Sequence, residues 1–60
     1  PEGISKNADI VYNIMSEGFL SLDEIALRSG IETRKVLAAL TELQLEGIVR
    51  NDGPCRYELL

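Results

Sequence analysis

Residues 21–47 read SLDEIALRSGIETRKVLAALTELQLEG, and this stretch decides the fold. It opens on Ser21-Leu22-Asp23-Glu24, the S-x-x-E order of a capping box. The Ser21 hydroxyl can accept from the Glu24 amide while the Glu24 carboxylate reaches back to the Ser21 amide, and both acids sit at the positive end of the helix dipole. Leu22, Ile25, Ala26 and Leu27 fill the apolar side of a helix that Ser29-Gly30 ends after about two turns at 3.6 residues each. A short turn through Gly30-Ile31-Glu32 leads to a third helix from Thr33 to Glu46, in which Val36, Leu40 and Leu43 recur on one face. Gly47 stops it, where a residue without a Cβ can take positive φ. Two helices joined through a glycine turn form a helix-turn-helix pattern.

Upstream, Ile10, Val11, Ile14 and Met15 make an apolar stripe on a first helix that runs to Glu17, with Ser5 or Asn7 as its cap and Gly18 behind it. Phe19-Leu20-Ser21 is long enough only for a connector or a minimal strand. Downstream the period changes. Ile48-Val49-Arg50 is a β-type run, Asn51-Asp52-Gly53-Pro54 is a turn, and Cys55, Tyr57 and Leu59 alternate with Arg56 and Glu58, which predicts a β-hairpin with Cys55 facing inward as a small apolar residue. The order α-β-α-α-β-β is that of a winged helix, an α+β fold, mainly helical. The expected core is Val11, Ile14, Leu22, Ile25, Val36, Leu40, Leu43, Ile48, Tyr57 and Leu59. Residues 1–6 read as the end of a linker and residues 7–60 as the domain, since Pro1-Glu2-Gly3 without an initiator methionine suggests a piece of a longer protein.

Composition narrows the function. Sixty residues, 45% apolar and 27% charged, make one small globular domain with no room for an enclosed substrate cavity. No apolar run approaches the roughly 20 residues that a bilayer requires, and no signal peptide is recognisable. Cys55 is the single cysteine and histidine is absent, which disfavours disulfides and Cys/His metal sites and fits a cytoplasmic protein. Catalysis has little support. There is no glycine-rich phosphate loop, no nucleophile with a base at hand, and Asp23-Glu24 diverge by about 100° on their helix. The expectation is a protein that is not an enzyme, with no cofactor and no small-molecule substrate.

The strings Ser21-Leu22-Asp23-Glu24-Ile25-Ala26, Ser29-Gly30-Ile31, Val36-Leu37-Ala38-Ala39-Leu40-Thr41-Glu42-Leu43 and Leu45-Glu46-Gly47-Ile48-Val49, followed by Gly53 and Arg56-Tyr57, carry a resemblance. Over Asn7 to Leu59 the chain resembles the C-terminal winged-helix domain of the DNA-processing protein A family. The resemblance implies a cytoplasmic bacterial protein of natural transformation and recombination, in which a separate Rossmann-like domain binds single-stranded DNA and assists loading of the recombinase. No position of this chain matches that domain's DNA-binding residues. The domain is also similar to Z-form nucleic-acid-binding domains, which use an asparagine and a tyrosine on the third helix. Arg34 and Ala38 stand at those positions here and the wing keeps Pro54 and Tyr57, so the loss of the helix tyrosine weighs against Z-form recognition.

Two surfaces remain as candidate sites. Ten acids against six bases leave a net charge of -4, so DNA contact needs a local basic face. Arg34, Lys35, Arg50 and Arg56 would supply one if the start of the third helix lay beside the wing, and four phosphate contacts would give weak, salt-dependent binding. The alternative is that they are scattered charges pairing with Glu32, Asp52 and Glu58. The second surface is the outer side of the third helix, where Leu37, Ala38, Thr41 and Leu45 form an apolar strip suited to protein contact. The competing arrangement tucks Leu37 and Leu45 under the first helix or the wing. The partners expected are other domains of the parent chain or a recombination protein, with DNA a weaker alternative and no membrane.

Overall fold

A computed structural model describes residues 3–60. Helix α1 spans Lys6–Ser16, α2 Leu22–Ser29 and α3 Thr33–Leu45, followed by strands β1 Val49–Asn51 and β2 Tyr57–Leu59. The strands pair antiparallel with Val49 opposite Leu59 and Asn51 opposite Tyr57. The minimal strand expected around Phe19-Leu20-Ser21 is a single antiparallel bridge between Ser21 and Arg56. Two bonds flank it, Tyr57 donating to the Leu20 carbonyl and Leu22 to the Cys55 carbonyl, each at 2.9 Å. The named elements therefore run α-α-α-β-β, with a one-residue bridge tying the start of α2 to the hairpin.

Caps set the helix limits. Ser5, not Asn7, starts α1: its Oγ accepts from the Ala8 amide at 3.2 Å. Of the stretch 1–6 expected to close a linker, residues 1 and 2 lie outside the described residues. Ile4 packs against the core, and Lys6 opens the helix. Ser21 Oγ accepts from the Glu24 amide at 3.3 Å, but Glu24 makes no return bond among the described residues. Its exposed side chain instead lines a recess with Arg56. Gly30 closes α2 in the left-handed region at φ 70°. Glu32 precedes α3 without a side-chain cap.

The core is formed by Ala8, Val11, Met15, Leu22, Ile25, Val36, Ala39, Leu40, Leu43, Val49 and Tyr57. Three residues expected there, Ile14, Ile48 and Leu59, lie half-buried at its margin. On α1 the inward stripe is Ala8, Val11 and Met15, one step round from Ile10 and Ile14. A charge-assisted bond joins distant parts of the chain: the Ser5 amide donates to Glu42 Oε2 at 2.6 Å. The start of α1 thus lies beside the last turns of α3, and the Glu42 carboxylate sits at the positive end of the α1 dipole.

The hairpin departs most from expectation. Cys55 is exposed at φ 55°, in the turn and not in an inward strand position. Arg56 donates to the Gly53 carbonyl at 3.3 Å, and Asp52 donates to the Arg56 carbonyl at 2.8 Å. Pro54 and Cys55 are therefore the two central residues of a β-turn, the second with positive φ, a position that favours glycine or asparagine. Asn51 Oδ1 also accepts from the Gly53 amide at 3.2 Å. The turn uses one more residue than the strand alternation implies, which leaves only Tyr57 of the alternating trio fully inside.

Candidate functional site

Helix α3 positions both candidate surfaces. Val36, Ala39, Leu40 and Leu43 are 0–3% exposed and face inward. Arg34, Leu37, Ala38, Thr41 and Leu45 follow from the 3.6-residue period as the opposite side, and all five are exposed. Leu45 is 82% exposed and so is not tucked under α1 or the wing, whereas Leu37, at 40%, is partly covered. The Thr41 hydroxyl is turned onto its own helix, donating to the Leu37 carbonyl at 3.0 Å. That leaves its methyl group as the outward surface. No acid lies on this strip; Glu42, on its flank, is held toward Ser5.

The four candidate cations do not share one environment. Arg34 and Lys35 stand exposed on the first turn of α3 and form no ion pair among the described residues. Arg50, on β1, is paired with Glu58 across the hairpin, as the scattered arrangement would have it. Arg56 is bridged to Ser21 at the beginning of α2, whereas Arg34 and Lys35 follow its end. At about 1.5 Å per residue, the eight residues of α2 put a length of about 12 Å between those two ends. The four therefore divide into Arg34 and Lys35 on α3 and Arg50 and Arg56 on the hairpin, where Arg56 lies across from Asp52, two residues from Arg50. Of the wing residues, Pro54 is exposed, but Tyr57 is buried at 7% exposure and serves the core.

Two surface features were not singled out from the sequence. Gly18, Phe19, Leu20, Ser21, Glu24 and Arg56 line a recess of about 170 Å³. The Arg28 guanidinium lies 3.8 Å from the centre of the Phe19 ring, a cation–π contact that covers one face of an otherwise half-exposed aromatic. Both arise because the bridge folds residues 18–21 back against the wing, and a three-residue connector carries no periodic signal of that. Leu27, which the sequence pattern puts on the apolar side of α2, is 81% exposed on its outer side. Among the described residues no helix is long and apolar enough to cross a membrane.

No curated protein and no solved structure matches the chain. The model of the DprA winged helix domain matches residues 1–53, which take in all three helices, the first strand and the opening of the wing turn. With three helices and a hairpin in the order of a winged helix, and a match that leaves out only residues 54–60, the chain belongs to the DprA winged-helix domain family.

Proposed function

We propose that the domain is a non-catalytic accessory module of a cytoplasmic bacterial DNA-processing protein of natural transformation and recombination. It works mainly through protein contacts, on the outer side of α3, or by orienting its parent on DNA. The observation that carries this reading is the exposure of Leu45 and Leu37 on a strip without acids, beside Ala38 and the methyl of Thr41. Exposed apolar residues gathered on one face, with charge at the margins, are the composition of a protein contact surface. The partners it fits are another domain of the parent chain or a recombination protein. The recess beside Arg56, at about 170 Å³, falls well short of the roughly 300 Å³ that a small-molecule site begins at.

Weak DNA contact is the second reading, favoured by Arg34 and Lys35 at the positive end of α3. Two double variants separate the readings, each checked for folding by circular dichroism. Leu37→Ser/Ala38→Ser should weaken partner binding and leave DNA binding nearly intact, because neither side chain supplies a charge or a donor. Arg34→Glu/Lys35→Glu should abolish whatever DNA binding exists. Loss of DNA binding by the serine pair, with retention by the glutamate pair, would defeat the assignment of this face.

A further inference from the structure

Along the outer side of α3, Arg34, Ala38, Thr41 and Leu45 follow one another at intervals of four, three and four residues. That is the seam spacing of a coiled coil. All four are exposed, and the core lies on the other side of the helix. We infer that this seam pairs with α3 of a second copy of the chain, the two helices running antiparallel. The inference rests on the protein-contact reading above and names the partner of that surface.

Charge chooses both the partner and the direction. The cations of α3 and its margin are at its start, Arg34 and Lys35; of the acids, Glu42 and Glu46 are at its end, while Glu32, which precedes the first turn, falls by the 3.6-residue period on the side of the core residues and away from the seam. A parallel pair would stack like on like at both ends, whereas an antiparallel pair sets cations against acids twice by symmetry and opposes the two helix dipoles. When Ala38 of one copy faces Thr41 of the other, Arg34 faces Leu45 at either end. Small residues at the centre let the backbones approach closely. The Arg34 stem can lie along Leu45 while its guanidinium reaches toward Glu46. Lys35, Glu42 and Glu46 fall on one flank of the seam, and a two-fold axis brings that flank of each copy together. Lys35 therefore meets the acids of the second copy, with Glu42 already fixed on that flank by the Ser5 amide. Leu37 lies on the other flank, with Gln44 of the second copy across from it. One helix pair of this length buries less than the roughly 1,200 Å² of a standard interface, so the association is weak and concentration-dependent.

The test is sedimentation equilibrium of the chain from about 10 μM to about 1 mM, a range that brackets weak dimers. A reversible monomer–dimer equilibrium is expected. Leu45→Lys sets an ammonium opposite Arg34 of the second copy and should raise the dimer Kd by more than about tenfold. Adding Arg34→Glu to that variant should restore dimerisation, because the new carboxylate and the new ammonium face each other only when the helices run antiparallel. Both positions are exposed, so the variants should keep the wild-type circular dichroism. A chain that is monomeric throughout, a dimer indifferent to Leu45→Lys, or a double variant no better than the single one would each overturn the inference. A monomeric chain whose Leu37→Ser/Ala38→Ser variant still loses another protein partner would overturn self-pairing alone and leave the protein-contact reading standing.

Discussion

The two sides of α3 are both rich in apolar residues, yet only one of them builds the fold. Inward, Val36, Ala39, Leu40 and Leu43 are closed off by α1, α2 and β1. Outward, Leu45 is 82% exposed and Ala38 is exposed, while Leu37, at 40%, is open in part. Hydrophobicity by itself does not say what a helix face is for. What separates the sides is spacing: the inner residues fall where three elements converge, whereas the outer ones form a narrow strip edged by charge.

The contrast breaks first at Leu40. Leu40→Ala removes a side chain with 0% exposure from the centre of the core and should cost about 2–5 kcal/mol. At about 0.05–0.15 kcal/mol per residue a domain of this size holds roughly 3–9 kcal/mol, so that loss removes a large part of its stability and should lower the melting temperature steeply. An unchanged melting temperature would contradict the core assignment. Glu42, at the edge between the two sides, should have an intermediate effect. Glu42→Ala deletes the charge-assisted bond to the Ser5 amide and should lower stability by about 1 kcal/mol in urea denaturation. The wing turn should respond in the opposite direction. Left-handed backbone costs a residue with a Cβ roughly 1–2 kcal/mol, while glycine loses about 0.5–1 kcal/mol in chain entropy, so Cys55→Gly should stabilise by about 0.5–1 kcal/mol. Smallest of all, Leu45→Ser on the outer side should shift stability by no more than about 0.5 kcal/mol.

Much of this was legible from local signals. The cap at Ser21 and the stops at Gly30 and Gly47 are chemistry between residues a few positions apart, and the helices fall within one residue of where those signals put them. Core membership was readable where a side chain is large and central, as with Val11, Ile25, Leu40 and Leu43. It was not readable for Ala8 and Ala39, since small residues become core only where helices approach closely, or for Met15 against Ile14, since a stripe of four leaves the angle of the inner face open. Cys55 misled because alternation counts residues and cannot see that the turn absorbs one more. The bond from Ser5 to Glu42 joins residues 37 apart in sequence, beyond the reach of any local pattern. At the candidate sites, exposure of Leu37, Ala38, Thr41 and Leu45 was within reach of the helical period, but the separation of Arg56 from Arg34 and Lys35 depends on which end of α2 meets the wing.

Whether the outer side of α3 serves protein contact or DNA is tested most directly by titrating the chain with labelled single- and double-stranded DNA at low salt, where phosphate contacts are strongest. With Arg50 paired to Glu58 and Arg56 at the far end of α2, two neighbouring cations on a domain of net charge -4 should bind neither form below the high micromolar range. Submicromolar affinity for either would contradict the account and make this face a nucleic-acid interface.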